Sequence, residues 1–202
     1  NRLRWMRDIL GPTLGKALRS MENGLALNPL IARAIAMGDE FHQRNIAASL
    51  GFLKEVSPII TAMDMDEKDK YSVIKFLADT DQFFLNIMMA TSKAVMDAAR
   101  TGTDGTIVTA MCRNGYEFGI RIAGPVNMPK GLYFTGYDEE DGCPDMGDSA
   151  ITETFGVGGM AMIAAPAVTR FVGAGGYEDA LRTSNEMMEI CIDRNPNFII
   201  PT

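Results

Sequence analysis

Thr106-Ile107-Val108-Thr109-Ala110-Met111-Cys112-Arg113-Asn114-Gly115-Tyr116-Glu117-Phe118-Gly119-Ile120-Arg121-Ile122 is the stretch that decides the fold class. Tyr116, Phe118, Ile120 and Ile122 alternate with Glu117, Gly119 and Arg121, the period of two expected of a half-buried strand. Thr106 to Arg113 is a second β-rich run. Between them stands Asn114-Gly115, the pair a type I′ turn favours because both central residues take positive φ. The expectation is an antiparallel hairpin turning at Asn114-Gly115, with Tyr116, Phe118, Ile120 and Ile122 facing the core. Leu132 to Thr135 is a candidate third strand.

Upstream, the pattern is helical from Arg2 to about Arg100. Short apolar helices are expected at Leu3 to Leu10, Thr13 to Met21 and Pro29 to Met37, the last with Asn28 as cap and Pro29 at the favoured first position. Three longer helices follow. The first, Asp39 to Val56, repeats His42, Ile46, Leu50 and Leu53 on one stripe. The second, Asp66 to Ala78, opens on acidic residues suited to a helix N-terminus, and the third runs from Thr80 to Arg100. Downstream of the hairpin come an acidic loop from Asp138 to Asp148, an uncharged run from Thr154 to Thr169 read as a buried helix, and an amphipathic helix from Tyr177 to Arg194. Its core stripe is Tyr177, Ala180, Leu181, Ser184, Met188 and Cys191. The order of helices, sheet and helices argues for α+β rather than alternating βαβ units. We expect a helical domain over residues 1–100, then an α+β domain over 101–202 in which a small antiparallel sheet packs with C-terminal helices.

Composition narrows the function. The 202 residues carry 19 Lys and Arg against 26 Asp and Glu, a formal charge of −7 that works against a surface tracking nucleic-acid phosphates. Cys112, Cys143 and Cys191 form no Cys-x-x-Cys pair, which supports neither a disulfide framework nor a zinc knuckle. The Thr154–Thr169 run is shorter than the roughly 18 residues of a spanning helix and contains glycines and Pro166. A cytoplasmic protein with no membrane span is expected. The 15 Met residues suit adaptable packing at a core or a subunit contact, and an oligomer is expected. Because the chain starts at Asn1 in a helical-looking run and stops at Ile200-Pro201-Thr202 after an apolar stretch, we expect an interior segment of a larger protein.

His42 is the only histidine, so any imidazole chemistry uses it. Asp39 stands one helical turn away and would fix its tautomer, while a core histidine satisfied by a helix neighbour is the plainer reading. A metal site is not indicated, since one His without a second His or Cys at ligand spacing lacks a closed set. Asp145 to Gly159 is rich in hydroxyls and glycines ahead of an apolar run. Ser149, Thr152, Gly158 and Gly159 there would offer donors to a phosphate or carboxylate, or else would cap and allow tight packing. Glu153, at the polar edge of that run, would be partly desolvated with a raised pKa suited to a general acid or base. Arg113 and Arg121 on the hairpin strands would converge on an anion, with Asn114 beside them, or would be solvated faces. No Gly-x-Ser-x-Gly elbow, phosphate-binding loop or dinucleotide fingerprint is present.

The sequence resembles the YahG/YlbE-like proteins, long described as a domain of unknown function. The resemblance is carried by Met37-Gly38-Asp39-Glu40-Phe41-His42-Gln43-Arg44-Asn45, Asp81-Gln82-Phe83-Phe84-Leu85-Asn86 and Val108-Thr109-Ala110-Met111-Cys112-Arg113-Asn114-Gly115. Phe118-Gly119-Ile120-Arg121, Gly131-Leu132-Tyr133-Phe134 and Pro144-Asp145-Met146-Gly147-Asp148-Ser149-Ala150-Ile151-Thr152-Glu153-Thr154 complete the set. It implies a subunit of an oxamate carbamoyltransferase complex, which converts oxalurate and phosphate to oxamate and carbamoyl phosphate in allantoin and purine breakdown, with other subunits as partners. A non-catalytic assembly subunit or a small-anion-binding module fits the same resemblance. Such a reaction implies Glu153 or His42 for proton transfer and Arg113, Arg121 and the Gly156–Gly159 region for its anions, with neither metal nor cofactor. Members of this family are about twice as long, with further segments on both sides, and carry an aromatic-containing loop where this chain runs Ala123-Gly124-Pro125-Val126.

Overall fold

A computed structural model describes residues 1–102, 107–113, 118–122, 148–191 and 193–200. The first twenty residues form one run: α1 (Arg2–Trp5), a π-helical turn (Met6–Leu10) and α2 (Gly11–Ser20). Pro12 explains the wide turn. Its ring would collide with the carbonyl four residues back and it has no N–H, so the preceding turn opens and Gly11 N–H bonds the Met6 carbonyl five residues back. Then come α3 (Leu27–Ala36), α4 (Ile46–Ala62), α5 (Glu67–Ala78) and α6 (Phe83–Gly102). The α5 start matches its acidic sequence: Asp66 accepts the N–H groups of Lys68 at 2.9 Å and Asp69 at 3.3 Å.

Two expectations about this half are corrected. Helix α3 begins ahead of Asn28 and Pro29, at Leu27 with Ala26 as its cap. More consequentially, α4 begins at Ile46 rather than Asp39, because Gly38 (φ +97°) and Phe41 (φ +71°) adopt left-handed backbone that no α-helix admits. The stripe changes with the start. Ala48, Ser49, Phe52, Val56 and Ile60 are buried, whereas Leu50 is 54% exposed. Ser49 ties α4 to α6, its hydroxyl donating to the Asp81 carbonyl at 2.7 Å and accepting Phe84 N–H at 3.1 Å. Phe52 lies between Phe83 and Phe84, with ring centroids 5.7 and 6.3 Å away.

Among the described residues the sheet is an antiparallel pair, β1 (Val108–Arg113) and β2 (Phe118–Ile122), completing the α+β character. A two-residue turn at Asn114-Gly115 would pair Arg113 with Tyr116; Arg113 instead pairs with Phe118. Residues 114–117, including the turn and Tyr116, lie outside the described residues, as do the candidate strand at 132–135 and the acidic loop up to residue 147. A register shift between Val108 and Ala110 leaves an extra residue in β1, the mark of a bulge. Thr109 and Ala110 of β1 are buried, whereas Ile120, expected in the core, is 42% exposed and Ile122 half-buried. The apolar residues of β2 therefore do not all point inward.

The uncharged run is not one helix. Gly156 (φ +105°) and Pro166 divide it into α7 (Ile151–Phe155), a 3-10 segment (Gly158–Ala164) and α8 (Pro166–Phe171). Val157, Ala161, Ile163, Ala164 and Val168 are nevertheless buried. Helix α9 (Tyr177–Glu186) ends earlier than expected, passing into a 3-10 turn (Met187–Glu189). The change of period removes Met188 and Cys191 from the core stripe, and both are exposed. No helix among the described residues is long and apolar enough to cross a membrane. Val157 and Ala164 join Phe41, Phe52 and Phe84 in one core cluster, which brings α7 and its following turn against the loop before α4.

Candidate functional site

That approach unites the two residues singled out for proton transfer. His42 Nδ1 lies 2.7 Å from Glu153 Oε1, and the side chains are 26% and 18% exposed. The partner expected for His42 was Asp39 on a shared helix; the loop geometry of residues 38–45 places Glu153 there instead. Asp39 is fully buried, accepts Ala48 N–H at 2.8 Å at the start of α4 and lies 3.5 Å from Arg44 Nε. It therefore occupies the helix N-terminus that would otherwise attract an external anion.

Glu153 is held from several directions. Oε1 also accepts Gly159 N–H at 2.7 Å, and Thr152 Oγ1 lies 3.0 Å from Oε2 and 2.7 Å from the Ser149 carbonyl. Burial pushes the Glu153 carboxyl up, but the His42, Gly159 and Thr152 hydrogen bonds and the His42 charge together hold it below the usual glutamate range. The raised value expected from desolvation alone is thus reversed. Gly158 makes this possible. Its φ of +64° is left-handed, and a Cβ there would overlap the Glu153 carboxylate and come within 3.2 Å of His42 Cβ, so a side chain at 158 would have to displace the carboxylate.

The donors expected to meet an anion are engaged inside the protein: Gly158 N–H bonds the Glu40 carbonyl, and Gly159 N–H serves Glu153. Arg121 sits on β2 opposite Ala110, with its Nε lacking a hydrogen-bond partner among the described residues and its charge felt by Asp97 of α6. No ion pair joins Arg121 to Glu153 among the described residues. Arg113 ends β1; its side chain and Asn114 lie outside the described residues. Among the described residues, no three His, Cys, Asp or Glu side chains are grouped to hold a metal.

Residues 1–149 match the family described as oxamate carbamoyltransferase subunit AllG. The chain belongs to the AllG family. It is 55% identical to oxamate carbamoyltransferase subunit AllG of Escherichia coli (strain K12) over the whole chain and 50% of that protein. It is 41% identical to the uncharacterized protein YahG of the same organism, again over the whole chain and 44% of the relative. The chain thus spans about half the length of the curated relatives it matches. A crystal structure of a conserved protein of unknown function from Enterococcus faecalis V583 superposes with a TM-score of 0.81 at 42% identity, over 99% of this chain and 50% of that one.

In this AllG-family chain, sequence reasoning missed the residues that shape the loop. Glu40, Phe41 and Asn45 are each fully buried. Asn45 Nδ2 donates to Gln82 Oε1 at 2.8 Å and lies 3.4 Å from the His42 carbonyl, while Gln82 Nε2 donates to the Gln43 carbonyl. Both Glu40 and Gln82 fall inside the quoted motifs, but a helix expected from Asp39 to Val56 includes Glu40 and masks its part in a turn.

Proposed function

We propose that the chain is the proton-transfer portion of a cytoplasmic subunit of an oxamate carbamoyltransferase-like complex, working with other subunits on oxalurate, oxamate and phosphate. The observation that carries this reading is the His42–Glu153 pair, 2.7 Å apart, about four-fifths and three-quarters buried respectively at Glu153 and His42, yet still open to solvent. In the forward reaction a phosphate oxygen attacks the ureido carbonyl, the bond from that carbon to the oxamate nitrogen breaks, and a proton passes from phosphate to that nitrogen. With Nδ1 committed to Glu153, proton exchange falls to His42 Nε2, and the low-lying Glu153 carboxylate stabilises the imidazolium formed midway. Arg113 and Arg121, with Asn114 and Ser149, are the proposed ligands of the anionic ends; Thr152, Gly158 and Gly159 contribute by holding the pair.

The test is to assay carbamoyl phosphate formation by the full-length protein with its partner subunits, oxalurate and phosphate. His42→Ala and Glu153→Gln should lower kcat by about 10²- to 10⁴-fold. In calorimetry with phosphate or oxamate, Arg121→Ala should weaken binding by about 2–5 kcal/mol if it pairs with a desolvated anion. Wild-type rates in folded His42→Ala would end the catalytic reading. They would favour instead an assembly subunit, a role for which Phe171 and Met188 supply exposed apolar surface at 82% and 69%.

A further inference from the structure

Glu40 carries the strongest unassigned role in the molecule. It is fully buried, and its carboxylate gathers three successive backbone donors: His42 N–H at 3.1 Å, Arg44 N–H at 2.7 Å, and Gln43 N–H. Its own carbonyl accepts Gly158 N–H, the residue beside the N–H that grips Glu153. One residue thus shapes the loop bearing His42 through its side chain and ties that loop to the turn bearing Glu153's partners through its backbone. A general fold role would need no such convergence on both halves of one pair.

The physical logic is the conformation of residues 41–43. Phe41 takes φ +71°, unfavourable for a bulky side chain, and is kept there by burial of its ring against Phe84 at 5.8 Å and by the donors closing over Glu40. An amide in its place, as in Glu40→Gln, keeps one acceptor oxygen and turns an NH2 donor toward the remaining N–H, so the three donors are no longer all satisfied and the loop relaxes, turning the imidazole off Glu153. Among the described residues, the charged groups around His42 are Glu153 from α7 and Glu40 from its own loop, with Asp39 and Arg44 paired to each other in the same loop.

We propose that Glu40 is the positioning residue of the His42–Glu153 pair, setting the loop geometry that brings the imidazole onto the Glu153 carboxylate. The kinetic consequence rests on the proton-transfer reading above, but the deciding measurement does not. In the full-length protein with isotopically labelled histidine, the His42 imidazole signal is identified by its loss in His42→Ala and titrated against pH. Glu153→Gln should move the His42 midpoint; Glu40→Gln should move it the same way by at least half as much while circular dichroism stays native. Glu40→Asp, which keeps the charge but withdraws it by one methylene, should fall between. In the assay, Glu40→Gln should lower kcat by about 10²-fold, the order expected of a misplacement near 1 Å, with little change in KM. A wild-type His42 titration in folded Glu40→Gln overturns the proposal. Unfolding of both Glu40 variants overturns it too, since Glu40 would then be a residue of the fold. If His42→Ala retains full activity, the proton-transfer reading falls, and the titration still decides the role of Glu40.

Discussion

The two segments that meet at the His42–Glu153 pair are held by opposite means. The loop from Gly38 to Asn45 buries Asp39, Glu40 and Asn45 completely and uses carboxylates to collect backbone N–H groups. The segment from Ile151 to Gly159 uses absence: Gly156 at φ +105° ends α7, and Gly158 at φ +64° leaves room for the Glu153 carboxylate. One segment is vulnerable to losing an acceptor or a ring, the other to gaining a methyl. The difference teaches that a side chain can be aimed either by filling the space behind it or by emptying the space beside it.

The largest effect expected is at Phe41. Phe41→Ala leaves the left-handed backbone in place while removing a fully buried ring, and should cost about 3–5 kcal/mol in denaturant unfolding. A loss below 1 kcal/mol would show that the loop is not anchored by its core contact. On the other side, Gly158→Ala should cost about 2–4 kcal/mol, combining backbone strain with overlap on Glu153. The neighbouring glycines grade that claim. Gly156→Ala meets open space and should cost only about 1–2 kcal/mol of left-handed strain. Gly159→Ala, with neighbours no nearer than 3.6 Å, should stay within about 0.5 kcal/mol of wild type. Equal costs across the three would refute the close fit at Gly158.

Acid and alkali should distinguish the segments next. Burial pushes the Asp39 and Glu40 carboxyls up, their hydrogen bonds only partly offsetting it. Folding therefore takes up protons there: the stability is fully present below the ordinary carboxylate value near about 4 and is lost as pH rises through the raised folded values. Glu153 has the opposite sign, its contribution being present above the ordinary value and lost as pH falls through its depressed one. Urea midpoints followed upward from pH 3 should accordingly lose a negative slope in Glu40→Gln and a positive slope in Glu153→Gln. Slopes of the same sign would break the comparison. The smallest effect is expected at Leu50 of α4, where Leu50→Ala should change stability by no more than about 0.5 kcal/mol, against a cost at the buried Phe52 of the same helix that matches the one at Phe41. A reversed order would restore the stripe read from periodicity.

The contrast between α4 and α5 explains what was legible. Asp66 stands in sequence next to the N–H groups it caps, so the start of α5 could be read to within a residue. Asp39 caps α4 from nine residues before Ala48, across a turn that helical spacing conceals. Local capping is written in adjacent residues; capping through a loop depends on backbone angles that no periodic pattern encodes. The hairpin follows the same division. Alternation identified two antiparallel strands, but the pairing of Arg113 with Phe118 and the exposure of Ile120 depend on the register and on what packs against each face.

His42 and Glu153 were each singled out by the chemistry of their types, the lone imidazole and a carboxylate at the edge of an apolar run. The sequence by itself determined the α+β class, the helical first half, the paired strands and the family, because hydrophobic period, turn residues and long motifs are properties of neighbouring positions. Only the tertiary structure decided that these two residues, 111 positions apart, are partners. Their meeting depends on left-handed backbone at Phe41 and Gly158 and on the buried Glu40 carboxylate. These are energies of long-range burial and backbone strain, and they exist only once the chain has closed upon itself.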